Sequence, residues 1–211
     1  MMYNITIDQS TSATKAILFD MKANVIERVN KVHRQIVLHA GWLEHDPEEI
    51  YDNMKEAVRE LLYKSRVECK SIKYISITNQ RETTIIWNKT GKAICNAVVW
   101  QCARAQKITE RPEIAKYAEY IKNTSGMILS PYFSAAKARW ILENITYNQK
   151  LYFGTMDSWL IFKLTGNHFT DYSNASRTQL LDIHKLCWNS KLIAIFGLEN
   201  INFPQILSSD C

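Results

Sequence analysis

Arg81 and Glu82 are adjacent residues in the run 75–84, in which an apolar stretch of strand type ends in a polar cluster. A guanidinium group presents a planar fork of donors, and an ionised carboxylate accepts hydrogen bonds from hydroxyl groups. The two side chains therefore supply donors and acceptors in one small space, as a binding site for a vicinal polyol requires. A surface ion pair that closes the strand is the alternative, and the local sequence is compatible with both.

Segment 8–15 contains a second set of polar and charged side chains. It has a carboxylate, several hydroxyls and a cation, and it lies between two strand-like stretches. In such a hairpin, backbone amides and hydroxyls can bind phosphate oxygens, Lys15 can add charge, and Asp8 can approach Mg²⁺ through water. The alternative is a Ser/Thr-rich turn that satisfies its own backbone. The segment has no glycine and lacks P-loop spacing, so alone it is a weak indication.

Size and composition favour a globular protein of one domain, with two small domains as the alternative. The 211 residues are 46% hydrophobic and 22% charged, with a net charge of +5. Because the basic residues are scattered among acidic ones, we expect no nucleic-acid partner. No apolar run approaches the roughly 18 residues of a membrane span, and the first residues lack the features of a secretion signal, so we expect a cytoplasmic protein. The five cysteines are odd in number and show no metal-like pair spacing, which predicts free thiols.

The first elements must position the hairpin. The apolar pattern predicts strands at 3–8, 15–20 and 25–29, which short polar turns would join into an antiparallel meander. Asp46 can then cap a helix over residues 47–64, with Pro47 at its first position and Glu49 completing a capping box.

The remaining elements must position Arg81 and Glu82. We predict strands at 73–78, 83–87 and 93–100, and helices at 105–122, 130–144 and 157–164. No repeat, low-complexity tract or linker interrupts the pattern, which predicts a single α/β domain over residues 1–211. Its polar clusters would lie at strand ends, where open sheets usually bind ligands.

Seven segments in order along the chain resemble the amino-terminal domain of the FGGY carbohydrate kinase family, in particular its glycerol kinases. They cover essentially the whole chain, at residues 7–11, 41–47, 78–84, 97–102, 130–134, 154–160 and 170–178. The resemblance implies an actin-like, ribonuclease-H-like α/β domain with a mixed sheet and packed helices. It also implies phosphoryl transfer from MgATP to glycerol, with ATP and Mg²⁺ as cofactors.

The resemblance assigns roles to particular side chains. Arg81, Glu82 and Tyr132 would bind the hydroxyls of glycerol, and Trp100 would form an apolar wall against its carbon chain. Taken from the residues alone, core packing for Trp100 and a helix-start anchor for Tyr132 are the alternatives.

The hairpin matches the nucleotide side of the family. There Thr11, Ser12 and Lys15 would contact the phosphates, and Asp8 would be the carboxylate on the metal side. The sequence departs from the family at Ser10, where glycine is common, at Ala13, where a hydroxyl residue is common, and at Lys15, where arginine is common. Lysine keeps the charge but loses the planar fork.

The family also implies parts that these residues do not supply. The catalytic base is an Asp of a carboxy-terminal domain that also binds adenine, so we expect both outside this chain and an isolated chain that is inactive. Structural roles are expected for Asp157, Asp171 and Asp182. Alternatives are a non-catalytic polyol- or partner-binding domain and a fragment of a related sugar or polyol kinase. The resemblance further implies that a full-length enzyme can form homo-oligomers.

Overall fold

The computed structural model describes residues 2–210, which divide into two compact units. The first unit contains the chain up to Ile36 and His45–Gln80, and the second contains Val37–Glu44 and the chain from Arg81 onward. The strands, in chain order, are β1 Tyr3–Gln9, β2 Ala13–Asp20, β3 Val25–Val32, β4 Glu44–His45, β5 Ile72–Asn79, β6 Thr84–Asn88, β7 Ala97–Val98, β8 Leu151–Thr155, β9 Phe169–Asp171, β10 Leu181–Asp182, β11 Cys187–Trp188 and β12 Gln205–Leu207. The α-helices are α1 Pro47–Ser65, α2 Gln106–Thr109, α3 Pro112–Ala115, α4 Ala118–Ser125, α5 Ser134–Asn144, α6 Met156–Thr165, α7 Tyr172–Ser176 and α8 Ser190–Ile195.

The first unit is a mixed sheet covered by one helix. The sheet has the order β3-β2-β1-β5, in which β1 to β3 form the predicted antiparallel meander and β5 runs parallel to β1. Alternate residues of β1 are buried, Ile5 and Ile7 among them. Helix α1 packs against β2 and β3 and buries Ile50, Met54 and Leu61 at helical spacing. The meander and the helix confirm the predictions for this part of the chain.

Helix α1 begins where the sequence predicts, with one difference in its cap. The Asp46 carboxylate accepts from the amides of Glu48 and Glu49, and Pro47 occupies the first turn. The Glu49 carboxylate does not act in the predicted capping box. Instead it accepts from the Arg34 amide at 3.1 Å and from Arg34 Nε at 2.8 Å, so it fastens the chain after β3 to this helix.

The second unit has a four-stranded sheet of order β4-β7-β6-β8, in which β6 pairs antiparallel with β7 and β8. Strand β6 is buried throughout its first four residues, as expected for a central strand. Two short strand pairs, β10 with β11 and β9 with β12, complete the strand pairing. The core beside the sheet joins Ile86, Phe153 and Ile141 with residues of the surrounding helices.

Three predicted elements of this unit are wrong in extent. Of the strand predicted over 93–100 only β7 forms, because the chain bends at residues 94–95 and turns from residue 100. The helix predicted over 105–122 is broken into α2, α3 and α4, since Arg111 precedes Pro112 and adopts an extended conformation with ψ of 130°. The helix predicted from residue 130 begins at Ser134, because Phe133 is extended.

Helix α6 agrees with the predicted helix over 157–164 within one residue at each end. It ends at Gly166, whose φ of 76° is the left-handed conformation that glycine adopts without steric cost.

Candidate functional site

The hairpin turn between β1 and β2 contains Thr11 and Ser12. The Ser10 amide and hydroxyl both donate to the Ala13 carbonyl at 2.9 Å, so part of the turn satisfies its own backbone, as one alternative supposed. Thr11 is half-buried, and Ser12 is exposed. Lys15, directly after the turn on β2, is also exposed, so a hydroxyl and a cation are accessible at the same end of the sheet.

A chain of side-chain hydrogen bonds fixes the Thr11 carbonyl. Gln80 Nε2 donates to His45 Nδ1 at 3.1 Å, His45 Nε2 donates to Gln35 Oε1 at 2.8 Å, and Gln35 Nε2 donates to the Thr11 carbonyl at 2.8 Å. His33 Nε2 lies 2.9 Å from the same carbonyl and donates to it. Each bond has one donor and one acceptor only if His45 carries a single proton, on Nε2.

Burial keeps both imidazoles neutral. The pKa of His45 is lowered to about 3 because the ring is removed from water and lies beside His33. The pKa of His33 is also lowered, chiefly by burial. The two rings meet edge to face with centroids 4.6 Å apart. The hairpin therefore rests on a polar core whose hydrogen bonds depend on neutral histidine.

Asp8 and Lys15 face each other across the hairpin, in register on β1 and β2. Lys15 Nζ donates to Asp8 Oδ2 at 3.2 Å, and both side chains are partly exposed. A single carboxylate fits Mg²⁺, which keeps several waters and takes further oxygens from substrate phosphates. No cluster of three or more metal-ligating side chains occurs within residues 2–210, so a bound Mg²⁺ would depend on Asp8, water and phosphate.

Glu82 follows the end of β5 in an unusual backbone conformation with φ of 65°. A non-glycine residue in this region costs on the order of 1–3 kcal/mol and persists only where surrounding contacts hold it. Here the Glu82 carbonyl accepts from Thr84 Oγ1 at 3.1 Å and from Ser134 Oγ at 3.0 Å. Its buried carboxylate accepts from Arg177 Nε at 2.5 Å. The alternative of a surface ion pair between Arg81 and Glu82 is therefore wrong.

Arg81 is exposed, and its side chain makes no hydrogen bond or ion pair to any other described residue. A guanidinium without an internal partner keeps its donors available to a ligand. Although Arg81 and Glu82 are adjacent in the sequence, the Arg81 guanidinium is accessible and the Glu82 carboxylate is buried and held in one orientation.

Trp100 and Tyr132 are brought together from distant parts of the chain. Their ring centroids lie 5.5 Å apart at 60°, and both residues are half-buried. The Trp100 amide donates to Thr83 Oγ1 at 3.3 Å, which ties Trp100 to the residue after Glu82. Trp100 therefore belongs to a partly open aromatic pair, and Tyr132 lies in the turn before α5.

Arg177 is the residue that the sequence reasoning missed. Its guanidinium carbon lies 5.9 Å from the Tyr132 ring centroid and 5.1 Å from that of Phe133, while its Nε binds Glu82. Arg177 thus connects Glu82 with the aromatic residues. Its only sequence signal was its place within the family-like segment 170–178, because the separation from Glu82 gives no local pattern.

We call Arg81, Glu82, Trp100 and Tyr132 the polyol cluster.

Asp157, Asp171 and Asp182 each accept hydrogen bonds within the second unit. Asp171 accepts from the Asn174 amide at 2.7 Å and caps α7. Asp182 accepts from the amides of His184 and Lys185 in a turn. The Asp157 carboxylate accepts from Thr155 Oγ1 at 2.5 Å and from Thr170 Oγ1 at 2.7 Å, and burial raises its pKa to about 6. Asp171 and Asp182 thus have the cap and turn roles expected for them, whereas Asp157 is a buried acceptor that joins Thr155 to Thr170.

Among the described residues, no helix is both long and apolar enough to cross a membrane. A family model described as the FGGY family of carbohydrate kinases, N-terminal domain, matches residues 3–211. The chain is 46% identical over 218 residues to glycerol kinase 1 of Thermotoga maritima, covering 99% of this chain and 44% of that protein. It is 42% identical over 216 residues to the glycerol kinase of Pasteurella multocida, covering 98% of this chain and 43% of that protein. The chain thus spans less than half the length of these curated relatives.

Solved structures of similar fold include the Plasmodium falciparum glycerol kinase with ADP, at a TM-score of 0.83 and 36% identity. That match covers 98% of this chain and 43% of the other. A ligand-bound xylulose kinase from Lactobacillus acidophilus matches with a TM-score of 0.87 and 27% identity, over 98% of this chain and 42% of the other. The predicted actin-like, ribonuclease-H-like α/β fold is confirmed.

Proposed function

The chain belongs to the FGGY family of carbohydrate kinases, and from this premise we propose that it is the amino-terminal, substrate-binding part of an ATP-dependent glycerol kinase. Its similarity to glycerol kinases over its whole length carries the choice of substrate. The aromatic pair of the polyol cluster supports that choice, because an aromatic wall narrows the space left for the acceptor. Because the cytoplasm supplies ATP, the proposal assigns the chain to that compartment.

The reaction is phosphoryl transfer. A terminal hydroxyl oxygen of glycerol attacks the γ-phosphorus of ATP, the bond from that phosphorus to the β,γ-bridging oxygen breaks, and ADP leaves. The hydroxyl proton passes to a carboxylate base, and glycerol 3-phosphate is formed. We assign the base and the adenine pocket to the part of the relatives' length that this chain does not cover.

The polyol cluster would bind and orient the acceptor. Arg81 donates to hydroxyl oxygens, and Glu82 accepts from hydroxyl hydrogens with the carboxylate oxygen that Arg177 leaves available. Trp100 packs against the CH₂ groups, and the Tyr132 hydroxyl supplies one more polar contact on a rigid ring. Because three side chains, those of Thr84, Ser134 and Arg177, hold Glu82 by hydrogen bonds before any ligand arrives, little ordering entropy is lost on binding.

The hairpin would bind the nucleotide phosphates. Thr11 and Ser12 offer amides and hydroxyls, and Lys15 adds a positive charge. Mg²⁺, when bound, neutralises phosphate charge, and Asp8 would hold it through water. The neutral His45 network would keep the turn in one conformation, which reduces the cost of ordering it around an anion.

A titration of the isotope-labelled chain with glycerol, followed by NMR, tests the acceptor site. We expect shifts of the Arg81, Trp100 and Tyr132 resonances at millimolar glycerol and weaker effects with xylulose. Ethanol at equal concentration controls for a solvent effect. Shifts spread over the whole surface, or stronger and localised shifts with xylulose, would contradict the assignment to glycerol.

A further inference from the structure

Lys137 is a fully buried lysine without a counter-ion. It lies in the first turn of α5, its side chain is inaccessible to water, and it forms no ion pair with the residues that the structure describes. Its Nζ donates to the carbonyls of Pro131 at 2.6 Å, Tyr132 and Phe133 at 3.4 Å. Burying an ammonium group is costly, so such a lysine needs a compensating role.

The geometry fits an ammonium group closely. An ammonium has three donors and no acceptor, and it meets three carbonyls of consecutive residues. Burial lowers the pKa of Lys137 to about 7, while the neighbouring Glu82 and Cys102 favour its charged form. One side chain thus fixes the main chain of residues 131–133 at three points.

Residues 131–133 and the residue that follows them hold two members of the polyol cluster in place, Tyr132 and Glu82. Tyr132 lies in its middle, with its ring centroid 5.5 Å from that of Trp100 and 6.0 Å from Lys137 Nζ. Ser134, directly after it, donates to the Glu82 carbonyl and so supports the left-handed backbone there. A change in the conformation of 131–133 would therefore move the Tyr132 ring and loosen Glu82 together.

We propose that Lys137 is a positioning residue of the polyol cluster, whose ammonium group fixes residues 131–133 so that Tyr132 and Ser134 keep their places. Its effect on polyol affinity rests on the proposed function. Its effect on the conformation of the segment does not, and the two are measured separately.

The first measurement is amide hydrogen exchange in Lys137→Met, which keeps the side chain's length and removes its donors. We expect exchange of the Tyr132 and Phe133 amides to accelerate at least tenfold. Ile141→Ala is the matched control, because Ile141 is also fully buried in α5 and bonds to none of the three carbonyls. It should lower global stability without selective exchange in 131–133.

The second measurement is glycerol affinity by NMR titration. We expect at least a tenfold weaker affinity in Lys137→Met and less than a threefold change in Ile141→Ala. Wild-type affinity should also fall as pH rises through 7, where Lys137 loses a proton, and this dependence should be absent in Lys137→Met. Cys102, Glu82 and Tyr132 are the titratable groups that face Lys137 among the described residues. Cys102→Ser, which should retain the pH dependence, is the control.

If the amides of residues 131–133 exchange at the same rate in Lys137→Met and in Ile141→Ala, the positioning role is overturned. If the wild-type chain binds no glycerol, the proposed function fails and the exchange experiment still decides the role of Lys137. If Lys137→Met does not fold, Lys137→Gln replaces it: an uncharged amide has fewer donors and should give an intermediate acceleration, and no acceleration would overturn the proposal.

Discussion

Arg177 Nε lies 2.5 Å from Glu82 Oε1, so the carboxylate that stands next to Arg81 in the sequence is paired with an arginine 95 residues further along the chain. The Glu82 side chain is 4% exposed and that of Arg177 is 23% exposed. The pair is therefore largely removed from water, and its energetics differ from those of a surface salt bridge.

Arg177→Ala should destabilise the protein by about 3 kcal/mol, because it leaves the Glu82 carboxylate buried without a counter-ion. Denaturant unfolding measures the loss. Arg139→Ala is the control, since Arg139 and Glu143 form a partly exposed pair whose loss should cost less than about 1 kcal/mol. Adding Glu82→Gln to Arg177→Ala should recover at least half of the loss, because the amide carries no charge. Equal losses in Arg177→Ala and Arg139→Ala would contradict a buried pair.

Arg81→Ala should weaken glycerol binding and leave the stability of the protein almost unchanged. The side chain is exposed and has no partner among residues 2–210, so the free energy of unfolding should change by less than about 0.5 kcal/mol. Glycerol affinity, measured by NMR titration, should fall at least tenfold because a hydrogen-bond donor fork is lost. Arg59→Ala removes an exposed arginine from α1 and controls for net charge. Unchanged affinity in Arg81→Ala would remove Arg81 from the polyol cluster.

The isolated chain 1–211 should show no ATP-dependent phosphorylation of glycerol, because Asp157, Asp171 and Asp182 are all held by hydrogen bonds within the protein and none is available to act as the base. A coupled assay for ADP release measures turnover against a blank without protein. Turnover well above the blank that disappears in Arg81→Ala would show that this chain contains a complete catalytic site.

The charge at position 15 should control phosphate binding at the hairpin. Lys15→Ala should weaken the binding of inorganic pyrophosphate several-fold, because it removes the accessible cation beside the turn. Lys15→Arg should bind it at least as tightly as wild type, since a guanidinium offers a bidentate fork. Calorimetry at low ionic strength compares the three proteins. Lys22→Ala removes an exposed lysine of the next turn and controls for charge; an equal effect there would point to non-specific attraction.

Mild acid should destabilise the first unit. His45 has a pKa lowered to about 3 in the folded protein, while an unfolded histidine titrates near 6.5. Below pH 6.5 the unfolded chain therefore binds a proton that the folded chain does not, and stability falls as pH decreases toward 3. Between pH 6.5 and 5 the loss through His45 alone should be about 1.5 kcal/mol.

Unfolding free energies at the two pH values test this linkage in wild type and in His45→Gln. The variant should lose about 1.5 kcal/mol less over that interval. His39→Gln is the control, because His39 is exposed. Its loss of unfolding free energy between pH 6.5 and 5 should equal that of wild type. The same acid loss in wild type and His45→Gln would mean that His45 takes up a proton in the folded state.

Local chemistry determined much of the first unit. The alternation of apolar residues predicts β1, β2 and β3 and their meander, because neighbouring strands joined by short turns pair with each other. Asp46 and Pro47 predict the start of α1, since capping depends on residues within one turn. The resemblance to the family also made Trp100 and Tyr132 candidates for one cluster, and their rings lie side by side.

Tertiary structure decided the features that depend on residues distant in sequence. Arg177 bonds to Glu82 across 95 residues. The contact of Lys137 with the carbonyls that precede its helix is local in sequence, but only packing buries it, and neither contact leaves a periodic pattern. The break at Pro112 could have been anticipated from the restricted conformation of the preceding residue. By contrast, the burial of Glu82 and the exposure of Arg81 could not, because adjacent residues share all their local sequence. Burial depends on how the whole chain packs, and this packing leaves the Arg81 cation accessible while it fixes the Glu82 carboxylate.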